Sequence, residues 1–282
     1  MITRITSLIT VLILTIACAH GQAYEPLALA KKIFDKDTLS NIATYVIGEY
    51  KGRPHGGDLG KGAKTRFMLL EQTAESAVVN MTVLDSTGVG FDTYLHFKKE
   101  TIWKMSAFRA LAQTGIIDRI KTQLEKMSQA DVDRVVAEVK KNGKDKFSMF
   151  SSQEEYNFLL GNAKLTLALD DHIVQHFVEN MAVFEQLKDL AIAELKNKKN
   201  DEEGSIKLIA QSKREYERLF IARVSSGGDE LGNGINFFIG GVIDNAVGYI
   251  YVQDKKDLPR MSPNGVIMIR EIGAGWYIYK TT

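Results

Sequence analysis

Two histidines and a glutamate in the middle of the chain have the spacing of a possible metal site. His172, His176 and Glu179 recur at intervals of four and three residues within a stretch of helical periodicity, so the three side chains share one side of a helix. Two imidazoles one turn apart can chelate a divalent cation. The apolar stripe of the same helix lies on another side, which favours a solvated flank as the alternative.

A second group of reactive side chains alternates along predicted strands. Because every other residue of a strand points to the same face, these side chains share one face of a sheet. The acid, phenol and imidazole types used in acid–base catalysis are among them. This set predicts either a ligand-binding surface or a face that is solvated or packed against another domain. Its members are Asn80, Thr82, Asp92, Tyr94, His96, Lys104 and Ser106.

The turn Asp85–Val89 predicts the register of the strands that carry this polar face. A three-residue loop with Gly88 in the left-handed conformation makes Asp85 face Val89. Counting outward puts apolar pairs such as Val83 with Phe91 on the opposite face. A similar loop over Lys98–Glu100 places Trp103 beside Leu95 and aligns Asn80, Tyr94 and Lys104 in one row. The apolar face needs a cover, which the predicted helix Leu39–Tyr50 would supply.

The hydrophobic period changes twice along the chain and predicts an α+β fold. A helix is followed by an antiparallel meander of four strands, a helical middle with breaks at Gly115, Gly143, Gly161 and Lys196–Gly204, a helix over Ser205–Glu217 and a second antiparallel sheet. The predicted parts of the chain are a signal peptide at 1–23, an α+β domain at 24–109, a helical region at 110–204 and a C-terminal antiparallel β region at 205–282. The predicted strands are Lys64–Gln72, Ser76–Asp85, Val89–Lys98, Thr101–Phe108, Leu219–Ser225, Ile235–Ile239, Val247–Val252, Val266–Ile272 and Trp276–Thr281.

The first α+β region resembles a known group of folds. A helix, a glycine-rich break and a meander that ends in Thr101–Phe108 look like bacterial exported proteins of the nuclear transport factor 2-like and cystatin-like superfolds. The resemblance covers roughly residues 39 to 109. In enzymes of the first type it implies an acid, a histidine or a tyrosine in the cone between helix and sheet. The cone face here is apolar, which predicts a core or a lipophilic pocket without a general acid or base.

The N-terminus has the order of segments that a secretory signal has. Arg4 precedes an apolar run from Leu8 to Ala17, and Gly21 and Ala23 are the small residues that a signal peptidase requires. This pattern predicts cleavage after Ala23 and a periplasmic or secreted protein. Lipid anchoring through Cys18, the only cysteine, is the alternative. The chain after the signal has no apolar run long enough to predict a transmembrane segment.

Composition narrows the classes of function. The chain has 36 basic and 35 acidic residues, so no strong field of one sign favours nucleic acid as a partner. No nucleophile motif is present, and the sequence predicts no cofactor. We expect an exported, non-catalytic envelope module that binds a protein, a glycan or an apolar small molecule. The alternatives are an enzyme, metal-assisted or acid–base, and an inhibitor or immunity protein.

Overall fold

The computed structural model describes residues 23–35, 39–143, 148–197, 206–226 and 231–282. It confirms the predicted α+β class. A four-stranded antiparallel sheet comes first, a helical region follows, and a six-stranded antiparallel sheet closes the chain. Residues 1–22 of the predicted signal segment, including Cys18, lie outside the described residues. No helix within these ranges has the length and apolarity needed to cross a membrane.

The first sheet has the order β1-β2-β3-β4, and helix α1 packs against it. The strong β-formers in these segments alternate with polar residues, as the faces of a sheet require. The elements are α1 (Pro26–Ile33), β1 (Lys64–Gln72), β2 (Ser76–Leu84), β3 (Gly90–Lys99) and β4 (Trp103–Ala110).

The register of β2 and β3 is the predicted one, whereas that of β3 and β4 is different. Val83 pairs with Phe91, and Gly88 has a φ of +85°. In β4, Trp103 pairs with Lys99 instead of Leu95, and a bulge beside His96 shifts the remaining pairs. The predicted row of Asn80, Tyr94 and Lys104 is therefore wrong. The loop between β3 and β4 is Glu100–Ile102 and not the predicted Lys98–Glu100, so the pairs are displaced before the bulge is reached. The bulge then adds one more unpaired residue.

The cover of the apolar face also differs from the prediction. Helix α1 supplies it, with Leu29 and Ile33 fully buried in the core. The predicted helix Leu39–Tyr50 is wrong: the chain makes only a short 3₁₀ turn at Ile42–Tyr45 and then runs extended along β4, where the Ile47 amide donates to the Met105 carbonyl at 2.9 Å. Its apolar residues enter the same core in a different conformation.

The helical region contains five helices within the described residues. Gly161 lies in the interior of one of them, so the predicted break at this glycine is wrong. The break at Gly143 is confirmed, because this residue ends its helix. The helices are α2 (Thr114–Glu125), α3 (Gln129–Asn142), α4 (Gln153–Thr166), α5 (Asp170–Glu179) and α6 (Met181–Asn197).

The second sheet has the order β5-β6-β7-β8-β10-β9. The predicted helix over Ser205–Glu217 is confirmed only in its second half: the described part starts with a short strand, and a 3₁₀ turn at Ala210–Ser212 then leads into the α-helix. The elements are β5 (Ile206–Lys207), α7 (Lys213–Arg218), β6 (Arg223–Ser226), β7 (Ile235–Val242), β8 (Asn245–Tyr251), β9 (Val266–Gly273) and β10 (Trp276–Thr281).

The two sheets share a core. The helices α5 and α6 pack on the second sheet through an aromatic cluster in which Phe184 contacts both Tyr249 and Trp276. Val78 and Tyr94 of the first sheet belong to the same buried cluster. The polar face of the first sheet is therefore covered by the C-terminal part of the chain.

Candidate functional site

The polar face of the first sheet is a closed interface. Asn80, Thr82, Asp92, Tyr94 and His96 all have side chains that are at least nine-tenths buried. The structure therefore gathers most of the predicted ligand-binding residues, but a ligand in solution cannot reach them without separating the two sheets. Lys104 lies apart from the group and forms a 2.6 Å ion pair with Glu100.

Asp92 accepts hydrogen bonds from both sheet and helix. Its Oδ1 accepts from Thr82 Oγ1 at 2.5 Å and from Asn80 Nδ2 at 3.2 Å. Its Oδ2 accepts from the backbone amide of Asp170, the first residue of α5, at 2.6 Å. These three donors offset the cost of burying the carboxylate. Asp92 therefore holds the start of α5 against β3.

The side chain of Asp170, whose backbone amide donates to Asp92, links the two sheets. Its carboxylate accepts from the Tyr94 hydroxyl at 2.9 Å and forms a 2.7 Å ion pair with Lys280 Nζ. Burial raises the pKa of Asp170, and the charge of Lys280 opposes this rise. Burial, followed by the nearby Asp170 and Asp92 charges, raises the pKa of Tyr94 well above its ordinary value. This phenol therefore stays protonated and acts as a donor.

His96 is enclosed in this interface. Its side chain is 4% exposed, and Nε2 has no hydrogen-bond partner among the described residues. Burial, followed by the positive charge of Arg109, lowers the pKa of His96 to about 4. A neutral, enclosed imidazole of this kind has no access to an external substrate.

The predicted metal group is only partly assembled. His172 and His176 line one groove on the surface of the helical region, whereas Glu179 does not and instead accepts from Gln175 at 2.9 Å. The Nε2 atom of His176 lies 3.1 Å from the Leu219 carbonyl oxygen. Within the described ranges, no three His, Cys, Asp or Glu side chains form a group that could hold a metal.

The groove beside His172 and His176 is largely apolar. It is a shallow, open depression of about 510 Å³ between α4, α5 and the turn after α7, a volume within the usual range for small-molecule sites. Burial lowers the pKa of His176, so this imidazole is neutral at physiological pH. The lining side chains are Asn157, Leu160, Lys164, Leu165, Ala168, His172, His176 and Phe220, together with Gly161.

A larger and more polar cavity continues along the same helix. It encloses about 980 Å³ between the N-terminal half of α4 and the segment Lys213–Phe220. Asn157 and Phe220 line both cavities. The polar cavity is lined by Ser151, Ser152, Glu154, Glu155, Asn157, Phe158, Lys213, Arg214, Glu217, Arg218 and Phe220. We call the two together the α4 groove.

Phe220 forms the partition between the two parts of the α4 groove, and its position is strained. Its φ is +59°, a conformation that bulky side chains rarely adopt and that costs on the order of 1–3 kcal/mol. Two hydrogen bonds anchor its backbone: its amide donates to the Glu217 carbonyl, and its carbonyl accepts from Asn162 Nδ2 at 2.8 Å. On one side the ring stacks on His176, with centroids 5.6 Å apart.

On its other side the Phe220 ring rests on Gly161. A β-carbon at Gly161 would lie 2.1 Å from Phe220 Cε1, so only glycine permits this approach. A glycine inside a helix costs about 1 kcal/mol relative to alanine. The left-handed backbone of Phe220 and the glycine inside α4 each destabilise the chain. These two residues contact each other, and their contact shapes the α4 groove. Sequence reasoning missed Phe220; the signal available was a glycine inside a helical pattern.

Comparison with known proteins gives no match, whether with family models, curated protein sequences or solved structures. The resemblance to the nuclear transport factor 2-like and cystatin-like superfolds therefore stays a prediction.

Proposed function

We propose that this protein is an exported, non-catalytic binding module of the bacterial envelope and that it holds a small molecule in the α4 groove. The single observation that carries this proposal is the strained Phe220 seated on Gly161. Strained residues persist where the surrounding structure fixes them, and they cluster at ligand sites. The export part rests on the N-terminal sequence pattern.

The volume of the α4 groove supports a small-molecule ligand. The larger part, of about 980 Å³, is partly enclosed, and the smaller part, of about 510 Å³, is a shallow and open depression beside it; both volumes lie within the usual range for small ligands. Their shared wall, Phe220, is held by backbone hydrogen bonds and needs no ligand to form. A site that is formed before binding avoids the entropic cost of ordering its walls.

The burial of the acid–base candidates argues against the catalytic alternative. Asp92 and Tyr94 have their polar atoms engaged in the contact between the sheets, and His96 is enclosed beside them. A general acid or base must come within hydrogen-bond reach of its substrate. Enzymatic use of these residues would require the two sheets to part.

A titration with the neutral fluorophore N-phenyl-1-naphthylamine tests the proposal. This probe brightens in apolar surroundings, and we expect saturable binding to residues 24–282. Asn157→Trp places a large ring where the two cavities meet. We expect this variant to lose at least tenfold in affinity, because the ring occupies the space that the probe needs.

The matched control is Gln175→Trp, which also replaces an exposed helical amide but lies outside the residues that line the α4 groove. It should bind the probe as the unmodified chain does. Circular dichroism spectra of both variants test whether they remain folded. Equal binding by the unmodified chain and by Asn157→Trp would show that the probe does not occupy the α4 groove and would overturn the proposal.

A further inference from the structure

We infer that Lys280 and Asp170 join through an intramolecular isopeptide bond once the chain has folded. Nζ of Lys280 lies 2.7 Å from Oδ1 of Asp170, and the two side chains are 5% and 2% exposed. Proximity and the exclusion of water are the two conditions under which an amine and a carboxyl group condense to an amide. Neither residue lines the α4 groove, so the inference is independent of the proposed function.

Lys280 occupies a position that the sheet would otherwise give to an apolar residue. Alternation along β10 places it on the same face as Trp276 and Ile278, which are both buried in the core that the two sheets share. Replacing a buried ion pair by apolar side chains of similar volume is often neutral or stabilising. Stability alone therefore does not explain a lysine at this position, whereas a condensation requires its amine.

The backbone holds both partners in place. Lys280 lies on β10 between two neighbouring strands, opposite Val247 on one side and Met268 on the other. Asp170 is the first residue of α5, and its amide donates to Asp92 Oδ2 at 2.6 Å. Reacting groups that are fixed on rigid elements have a high effective concentration. The folded chain therefore keeps Nζ beside the carboxyl group that it attacks.

Burial favours the uncharged forms that the reaction needs. An amine is a nucleophile only when it is neutral, and a lysine reaches that form when it is desolvated. Burying two charges is costly, and the transfer of one proton from the ammonium to the carboxylate removes both of them. Burial raises the pKa of Asp170, although the charge of Lys280 opposes this rise. A neutral amine beside a carboxylic acid is therefore accessible in the folded protein.

The condensation is balanced by the pair itself. Lys280 Nζ attacks Cγ of Asp170, so an N–C bond forms and the carbonyl oxygen gains negative charge. The Tyr94 hydroxyl lies 2.9 and 3.0 Å from the two carboxyl oxygens and donates to the oxygen on which this charge develops. The other C–O bond then breaks, and the leaving hydroxyl takes a proton from the nitrogen and departs as water. The step uses no oxidant or reductant.

The bond gives the protein a covalent cross-link that needs no thiol. Cys18 is the only cysteine in the chain, so no disulfide can form within it. A bond from Asp170 to Lys280 ties the last strand to α5 and closes the intervening chain into a long loop. Closing a long loop restricts the unfolded chain, as a disulfide does.

The intact mass of residues 24–282 tests the inference. The purified protein should be lighter than the mass calculated from its sequence by one water molecule, and the deficit should persist in denaturant. Trypsin should release a branched peptide in which residues 165–188 are joined to residues 271–282, because it does not cleave after a modified Lys280. The full calculated mass would overturn the inference. A deficit without the branched peptide would also overturn it, because it would indicate a succinimide.

Lys280→Arg separates the bond from the ion pair. A guanidinium keeps the positive charge but stays protonated, so this variant should have its full calculated mass. Lys104→Arg is the matched control, because Lys104 forms a 2.6 Å ion pair with Glu100 that is partly exposed. This control should still lack one water. A Lys280→Arg chain that also lacks one water would contradict the assignment of the amine.

Tyr94→Phe tests the donor in the condensation step. The chain is dissolved from inclusion bodies in urea and diluted into buffer, and its mass is followed with time. Loss of the hydroxyl should slow the appearance of the lighter species by at least about tenfold, while circular dichroism shows the same fold as the unmodified chain. Equal rates in the two chains would contradict the role of Tyr94.

Discussion

Lys280, on the last strand, places its Nζ 2.7 Å from Oδ1 of Asp170, at the start of α5. Both residues are almost fully buried, with 4% and 2% of their surfaces exposed. Tyr94 of the first sheet donates to the same carboxylate. One buried carboxylate thus links the first sheet, a helix of the middle region and the final strand.

Removing the cation from this pair should destabilise the protein strongly. Lys280→Met keeps most of the volume but leaves the Asp170 carboxylate buried without its counter-charge, which costs about 3–5 kcal/mol. Burial already raises the pKa of Asp170, and Lys280 opposes that rise, so the variant raises this pKa further. Protonation then favours the folded state, and the loss should be larger at pH 7 than at pH 5. Urea unfolding at the two pH values measures it.

The double variant Lys280→Met with Asp170→Asn provides the comparison. A neutral amide removes the unpaired charge, so the double variant should be more stable at pH 7 than Lys280→Met alone. Its stability should also change less between pH 7 and pH 5. A double variant that is less stable than Lys280→Met at pH 7 would contradict this account of the pair.

His96 should make the protein less stable at low pH, which is opposite to the pH effect expected of Lys280→Met. Its folded-state pKa is about 4, below the ordinary value of 6.5 for histidine, so the unfolded chain binds the proton more tightly. Stability is therefore complete above pH 6.5 and falls as the pH drops from 6.5 towards 4. At pH 5 the loss from this single group is about 2 kcal/mol.

His96→Leu tests this dependence, because leucine keeps an apolar side chain in the site and removes the titrating group. Thermal unfolding of the variant should vary less between pH 7 and pH 5 than that of the unmodified chain. His172→Leu is the control: His172 is exposed, so this substitution should leave the pH dependence of the unmodified chain in place. A His96→Leu variant with an unchanged slope would contradict the assignment.

The first sheet shows how far local sequence predicts register. Asp85 and Gly88 have the chemistry of a defined turn, and the pairing of β2 with β3 follows from it. Nothing comparable marks the bulge at Ser106, where the chain pairs His96 with Ala107 and Phe97 with Met105. The bulge is also bound by a segment distant in sequence, because the Tyr50 amide donates to the Ser106 carbonyl at 3.1 Å.

The candidate site was less predictable than the fold. The spacing of His172 and His176 predicts that they share a helix side, and both do line the α4 groove. The opposite wall comes from Phe220, more than forty positions later, and its orientation depends on a left-handed backbone angle. Periodicity predicts which side of a helix is polar or apolar, but it does not predict which loop will pack there.

The tip of the hairpin between β7 and β8 should tolerate a stabilising substitution. Ile243 has a φ of +57° and is 82% exposed, so a β-branched residue adopts an unfavourable conformation there without burial in return. Asn adopts this conformation at lower cost. We expect Ile243→Asn to raise the free energy of unfolding by about 1 kcal/mol. Val89→Asn, at an exposed position with negative φ, should give no gain.

Gly161→Ala should destabilise the protein, although alanine normally stabilises a helix by about 1 kcal/mol relative to glycine. The new β-carbon would lie 2.1 Å from the Phe220 ring and displace it, at a cost of about 1–3 kcal/mol. Phe220→Ala in the same chain removes the clash, so Gly161→Ala should then be stabilising. Gly115→Ala in α2, where a β-carbon meets open space, is the control and should not destabilise. Urea unfolding of the four-member cycle measures the coupling, and additive effects would show that Phe220 does not rest on Gly161 in solution.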